Sequence, residues 1–180
     1  MRKQLLILMV ALLSTYSYSQ SYTQLYQDRA NLLLQSNINT LLKEFANLGV
    51  KTTGSTQNNN AFTWLQNKYV SYGYNTSTTA TDLKIESQSF TYSGKTSKNI
   101  IVTKKGTKYP DTYVIICGHY DTIVGPGVND NGSGVAIILE MARLLKDVPT
   151  EYSIKFINFS GEEQGLLGSK AYVTNIVNGT

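Results

Sequence analysis

The stretch Val114-Ile115-Ile116-Cys117-Gly118-His119-Tyr120-Asp121 changes character half-way: four apolar residues and a glycine lead to a histidine and a carboxylate two positions apart. A short apolar run that ends in turn-forming residues reads as a buried strand, here Thr112 to Cys117. A second run, Tyr152 to Phe159, reads the same way. It carries bulk on both alternating sets, Ile154 and Phe156 against Ile157 and Phe159, as expected of a strand covered by helices on both faces. Between the two runs, Val135, Ile138, Leu139, Ala142 and Leu145 recur on one face of a helix. Strand, helix and strand in that order predict an α/β fold.

Upstream, Ile38, Leu41, Leu42, Phe45 and Leu48 repeat at helical spacing and Gly49 follows as a stop. The polar stretch Thr52 to Asn60 reads as a loop. Phe62, Leu65, Tyr69 and Tyr72 predict a second helix that ends at Gly73. Leu83 to Tyr92 and Lys98 to Lys104 are rich in β-branched and aromatic residues and are separated by Ser93-Gly94, which predicts a hairpin-like pair.

The first nineteen residues read as an address. Arg2-Lys3 precedes the apolar run Leu5 to Leu13 and a small-residue exit, Ser14 to Ser19, the pattern of a cleavable signal peptide. The run is too short to span a bilayer, which takes about 20 residues. Residues 1–19 are therefore expected to be a leader, and the product to be secreted or periplasmic without stable membrane insertion. The remaining residues suffice for one domain.

The net charge is +4, and Arg2 and Lys3 lie in the leader, which leaves +2. No basic run exceeds Lys104-Lys105, so nucleic acid is not an expected partner. Cys117 is the only cysteine. No disulfide can close within the chain, and its apolar run predicts a buried small hydrophobe.

Each predicted strand ends in groups suited to metal binding: Gly118-His119-Tyr120-Asp121 after the first and Ser160-Gly161-Glu162-Glu163 after the second. Sites in open α/β sheets lie at the carboxyl ends of strands. Pro126-Gly127-Val128-Asn129-Asp130-Asn131-Gly132-Ser133-Gly134 opens the intervening helix and holds one carboxylate in its middle. His119 is the chain's only histidine. A lone histidine is more often structural, but Asp121 at i+2 is placed to accept the second ring N–H of a metal-bound imidazole. The bland reading of Asp130 is a helix N-cap, and that of Glu162-Glu163 a solvated helix start. Against it, two adjacent carboxylates can divide metal binding from proton transfer.

These three blocks, the last extending from Phe159 through Glu162-Glu163-Gln164-Gly165-Leu166-Leu167-Gly168 to Ser169, resemble peptidase family M28, the co-catalytic zinc aminopeptidases. The resemblance runs from about Lys98 to Val173 and is loose before that. It implies a mixed, mostly parallel sheet flanked by helices, with residues 20–180 forming an incomplete M28-like zinc peptidase domain. It further implies two zinc ions: His119 ligating one, Asp130 bridging both and Glu163 ligating the other. Glu162 would be the general base, Asp121 would orient His119, and the peptide bond after Asp130 would be cis.

The implied activity is that of a secreted aminopeptidase acting on peptide or protein N-termini. The family pattern has two more ligands, a carboxylate and a second histidine, which would fall beyond Thr180. The 180 residues alone are therefore expected to be inactive. Two alternatives share the fold: a glutaminyl cyclase-like enzyme, which uses one zinc, and a non-catalytic ectodomain that binds partners.

Overall fold

The structure, a computed structural model, describes residues 22–179. The leader read in residues 1–19 lies outside the described residues. The chain divides into two units, Met1–Asn31 and Leu32–Thr180. In the first, helix α1 (Gln24–Asn31) buries none of its residues. It carries side-chain pairs one turn apart, Gln24 to Asp28 and Gln27 to Asn31.

The second unit runs α2 (Gln35–Asn47), α3 (Thr56–Ser71), β1 (Leu83–Tyr92), β2 (Lys95–Lys104), β3 (Tyr109–His119), a π-helical turn (Val128–Ser133), α4 (Gly134–Leu145), β4 (Tyr152–Phe159) and α5 (Leu167–Asn178). The stretch read as a loop, Thr52 to Asn60, is helical from Thr56. Ser55 is the reason: its hydroxyl accepts the Asn58 N–H at 3.1 Å, which satisfies a free donor of the first turn and lets the helix start among polar residues.

One mixed sheet orders the strands β1-β2-β4-β3. The turn at Ser93-Gly94 makes β1 and β2 an antiparallel hairpin, with Leu83 opposite Lys104 and Tyr92 opposite Lys95. β2 then pairs antiparallel with β4, and only β3 with β4 is parallel. Parallel pairing thus takes a smaller share among the described strands than expected, because the hairpin lies directly against β4. The parallel pair is the one that matters for the site. Its register sets His119 beside Phe159, so the segments leaving both strands emerge together at one end of the sheet.

The main core lies where α2, α3 and α4 cover one face: Leu41, Phe45, Leu65, Tyr69, Val135, Ile138 and Leu139 pack with Ile100, Val102, Ile154 and Phe156. On the other face Ile101 and Ile157 meet Tyr172 of α5. Both faces of β4 are therefore buried, as its two apolar sets predict. Tyr113, Val114 and Ile115 of β3 are 44%, 50% and 47% exposed, and Cys117 is exposed as well, because among the described strands β3 pairs only with β4.

Candidate metal and catalytic site

Three segments converge beyond the ends of β3 and β4. The first is His119-Tyr120-Asp121. Tyr120 is fully buried; its N–H bonds the Phe159 carbonyl at 2.9 Å and its hydroxyl donates to the Lys98 carbonyl at 2.7 Å. Buried Tyr120 holds the chain so that its neighbours His119 and Asp121 stay at the sheet end.

The second segment is the turn after β4. Gly161 takes φ +72°, a left-handed conformation that a side chain disfavours, and so turns the backbone sharply out of the strand. The two amides that follow point at one carboxylate: Glu162 N–H donates to Asp121 Oδ1 at 3.1 Å and Glu163 N–H to Oδ2 at 3.2 Å. Asp121 is completely buried, so these bonds, with the Thr53 hydroxyl at 3.4 Å, compensate a charge taken out of water. Beneath the turn, Ser160 joins Asn58 and Ser97 in a buried hydrogen-bonded group, and Ser160 N–H donates to Asn99.

The third segment carries Asp130. Its backbone is not helical (φ −106°, ψ 101°), and the Asp130–Asn131 peptide bond is cis, as the resemblance implies. Asp130 caps no helix; its Oδ1 lies 3.0 Å from His119 Nε2. Glu162 reaches the same nitrogen at 3.9 Å. The other ring nitrogen, Nδ1, is 3.2 Å from the backbone carbonyl of Asp121 and 3.6 Å from its carboxylate. A neutral ring whose Nδ1–H donates to this carbonyl leaves the Nε2 lone pair directed at Asp130.

The electrostatics are lopsided: Asp121, Asp130, Glu162 and Glu163 surround one imidazole. Burial alone would lower the His119 pKa, but the Asp121 carboxylate and Glu162 together raise it to about 9. Burial, and then the charge of Asp130, hold the Glu163 carboxyl above its ordinary value, while His119 pulls it back. Such a cluster attracts a cation.

The donors fit zinc in kind, an imidazole nitrogen with carboxylate oxygens. Ligand atoms about 2.0 Å from a tetrahedral zinc lie roughly 3.3 Å apart, close to the His119–Asp130 spacing. Among the described residues, no group of three His, Cys, Asp or Glu side chains is gathered closely enough to hold a metal by itself. Two donors are in register and the glutamates stand behind them.

Residues 99–179 match the sequence profile of Peptidase family M28. This stretch of the chain is similar to peptidase family M28. Over 88 residues the chain is 50% identical to aminopeptidase YwaD of Bacillus subtilis, covering 47% of this chain and 19% of that protein. Over 168 residues it is 30% identical to a probable zinc metalloprotease of Pyrenophora tritici-repentis, covering 80% of this chain and 38% of that one. The chain thus spans less than two fifths of either relative. The crystal structure of the Legionella pneumophila LapA aminopeptidase superposes with a TM-score of 0.72 at 24% identity, covering 89% of this chain and 42% of that one, which shows the shared fold. All five candidate residues, His119, Asp121, Asp130, Glu162 and Glu163, fall within the M28 stretch.

Two residues around the site, Thr53 and Lys51, carry no signal in the sequence pattern. Thr53, 5% exposed, hydrogen-bonds both Gln164 and the Asp121 carboxylate. Lys51 and Thr122 exchange two bonds, Lys51 N–H to the Thr122 hydroxyl at 2.8 Å and Thr122 N–H to the Lys51 carbonyl at 3.2 Å. Partners 71 positions apart leave no periodicity to read.

Proposed function

We propose that this chain carries the N-terminal part of a zinc aminopeptidase that hydrolyses N-terminal peptide bonds. The observation that supports it most is the meeting of His119 and Asp130, at 3.0 Å, beside a Glu162-Glu163 pair anchored by Asp121. His119 through Nε2, Asp130 and Glu163 are the residues that would hold zinc, with two ions in the whole enzyme. Zinc, when bound, supplies a positive charge that polarises the scissile carbonyl and acidifies water.

Glu162 is the general base. It takes the proton of the attacking water and returns it to the leaving amine, and its half-exposed carboxylate leaves room for both exchanges. Asp121 holds Glu162 and Glu163 through their backbone amides, so the two side chains leave one anchored turn and can serve different roles. A peptide with a free amino terminus is the substrate class, as the name of the Bacillus relative suggests. The leader-like residues 1–19 support export of the protein.

Glu162→Gln and Glu163→Gln, made in the full-length protein, separate the roles. Glu162→Gln should keep its zinc and lose turnover of an amino-acid anilide by a factor of about 10² to 10⁴. Glu163→Gln should lose zinc. Equal zinc loss in both variants would mean that the roles are wrongly assigned, and unimpaired turnover in Glu162→Gln would reject the general base.

A further inference from the structure

Lys51 lies outside the M28 stretch and is completely buried. Its ammonium donates to three backbone carbonyls, Gly49 at 2.7 Å, Pro126 at 2.9 Å and Phe45 at 3.3 Å, and sits 3.8 Å above the centre of the Phe45 ring. Among the described residues no carboxylate pairs with it. Burial lowers its pKa to about 8, so near neutral pH the charge is held by carbonyl dipoles and an aromatic face alone. An arrangement this costly to desolvate asks for a reason beyond filling space.

Its bonds join two parts of the chain 75 positions apart. One is the end of α2 with the turn at Gly49. The other is Pro126, which opens the loop leading to Asp130. Phe45 reaches the same loop further along: a Cβ on Gly132 would lie 2.8 Å from the Phe45 ring, so ring and backbone are in close contact there. Gly132 N–H closes the loop on the Gly127 carbonyl at 2.8 Å. The loop is therefore held on both sides of Asp130, by Lys51 before it and Phe45 after it. The Asp130 side chain itself is 75% exposed, and apart from its 3.0 Å contact with His119 Nε2 its place is set by its backbone.

We propose that Lys51 is a positioning residue that fixes the Pro126–Gly132 loop and thereby the spacing of Asp130 from His119. This rests on the reading of His119 and Asp130 as metal ligands for its consequence, and on geometry alone for the clamp. A lysine in the core for packing only would stabilise all elements alike; a clamp acts on one loop.

The test compares Lys51→Met, which keeps the chain length and removes the donors, with Lys51→Arg, which keeps donors and charge. Three readouts are taken on the full-length protein: amide hydrogen exchange, Zn²⁺ affinity by competition with a chelator, and the 15N resonances of His119. In Lys51→Met the Gly132 amide should exchange at least tenfold faster while Leu139 and Phe156 keep their protection. Zinc affinity should fall by about 10- to 100-fold, the range for residues that hold ligands in place, and Lys51→Arg should recover part of it. Should Lys51→Met not fold, Lys51→Gln, which keeps an amide donor, is measured in the same way. Loss of protection spread evenly over core and loop, or an unchanged Gly132 amide, would overturn the clamp. Zinc that does not bind the unaltered protein would refute the metal reading instead, and the exchange data would still decide the role of Lys51.

Discussion

Asp121→Asn perturbs the site at its most connected point while changing almost no volume. The carboxylate accepts the Glu162 and Glu163 amides at 3.1 and 3.2 Å with no exposure to water. The bond to the remaining oxygen becomes neutral rather than charge-assisted, which costs about 1 kcal/mol. The other oxygen becomes an NH₂ donor facing an N–H, which leaves a buried donor unmatched at about 1–3 kcal/mol. Removing a negative charge beside Glu163 returns a fraction of this, since Asp121 is among the charges that raise the Glu163 pKa. The net loss is about 2 kcal/mol, and at roughly 2–4 °C per kcal/mol the melting temperature should fall by about 4–8 °C.

The pH dependence adds a second signature. His119 titrates near 9 in the folded chain against about 6.5 unfolded, so its contribution is fully present below pH 6.5 and disappears as pH rises through 9. Asp121 is the main source of that rise, so the gap between the parent and Asp121→Asn should narrow between pH 6.5 and 9. Calorimetric melts of the metal-free proteins across that window are the assay. A variant that melts within about 1 °C of the parent, with a gap flat in pH, would refute the anchoring role of Asp121.

Lys51 gives the opposite slope: its folded pKa of about 8 lies below the ordinary 10.5, so the unfolded chain binds more protons between these values and stability rises with pH there. The stability difference between parent and Lys51→Met, from urea titrations, should grow by up to about 3 kcal/mol from pH 8 to 10.5, and a constant difference would contradict the burial of the charge. Gly127→Ala should cost about 2–4 kcal/mol, because Gly127 has φ +60° and a Cβ there would lie 2.2 Å from Thr122 Cγ2; a urea midpoint unchanged from the parent would contradict this.

The strands around the site were legible because their apolar runs are long and dense. Tyr152 to Phe159 carries bulk on both faces and is indeed buried on both. The three candidate-site segments were legible because each places an imidazole or a carboxylate within two residues of a glycine, at the end of such a run or at the start of a helix. The reading failed where local pattern and tertiary position disagree. Thr56 to Asn60 look like a loop by hydropathy, but the Ser55 hydroxyl caps a helix there. Lys51 and Thr53 were invisible for another reason: their partners are a carbonyl at Pro126, the side chain of Gln164 and the Asp121 carboxylate, all distant in the chain.

His119 is the only histidine among these 180 residues, and in the full-length protein its two ring nitrogens are assigned by the 15N signals that vanish in His119→Gln. Titrating Zn²⁺ into the 15N-histidine-labelled full-length protein at pH 7.5 tests the central claim directly, since the ring is protonated there without metal and must release a proton to bind it. The expected result is a large shift confined to Nε2, with Nδ1 keeping its proton toward the Asp121 carbonyl, and loss of that shift at equal zinc in Asp130→Asn. A His119 spectrum that stays that of an imidazolium at saturating zinc would contradict the assignment of His119 and Asp130 as a metal-binding pair.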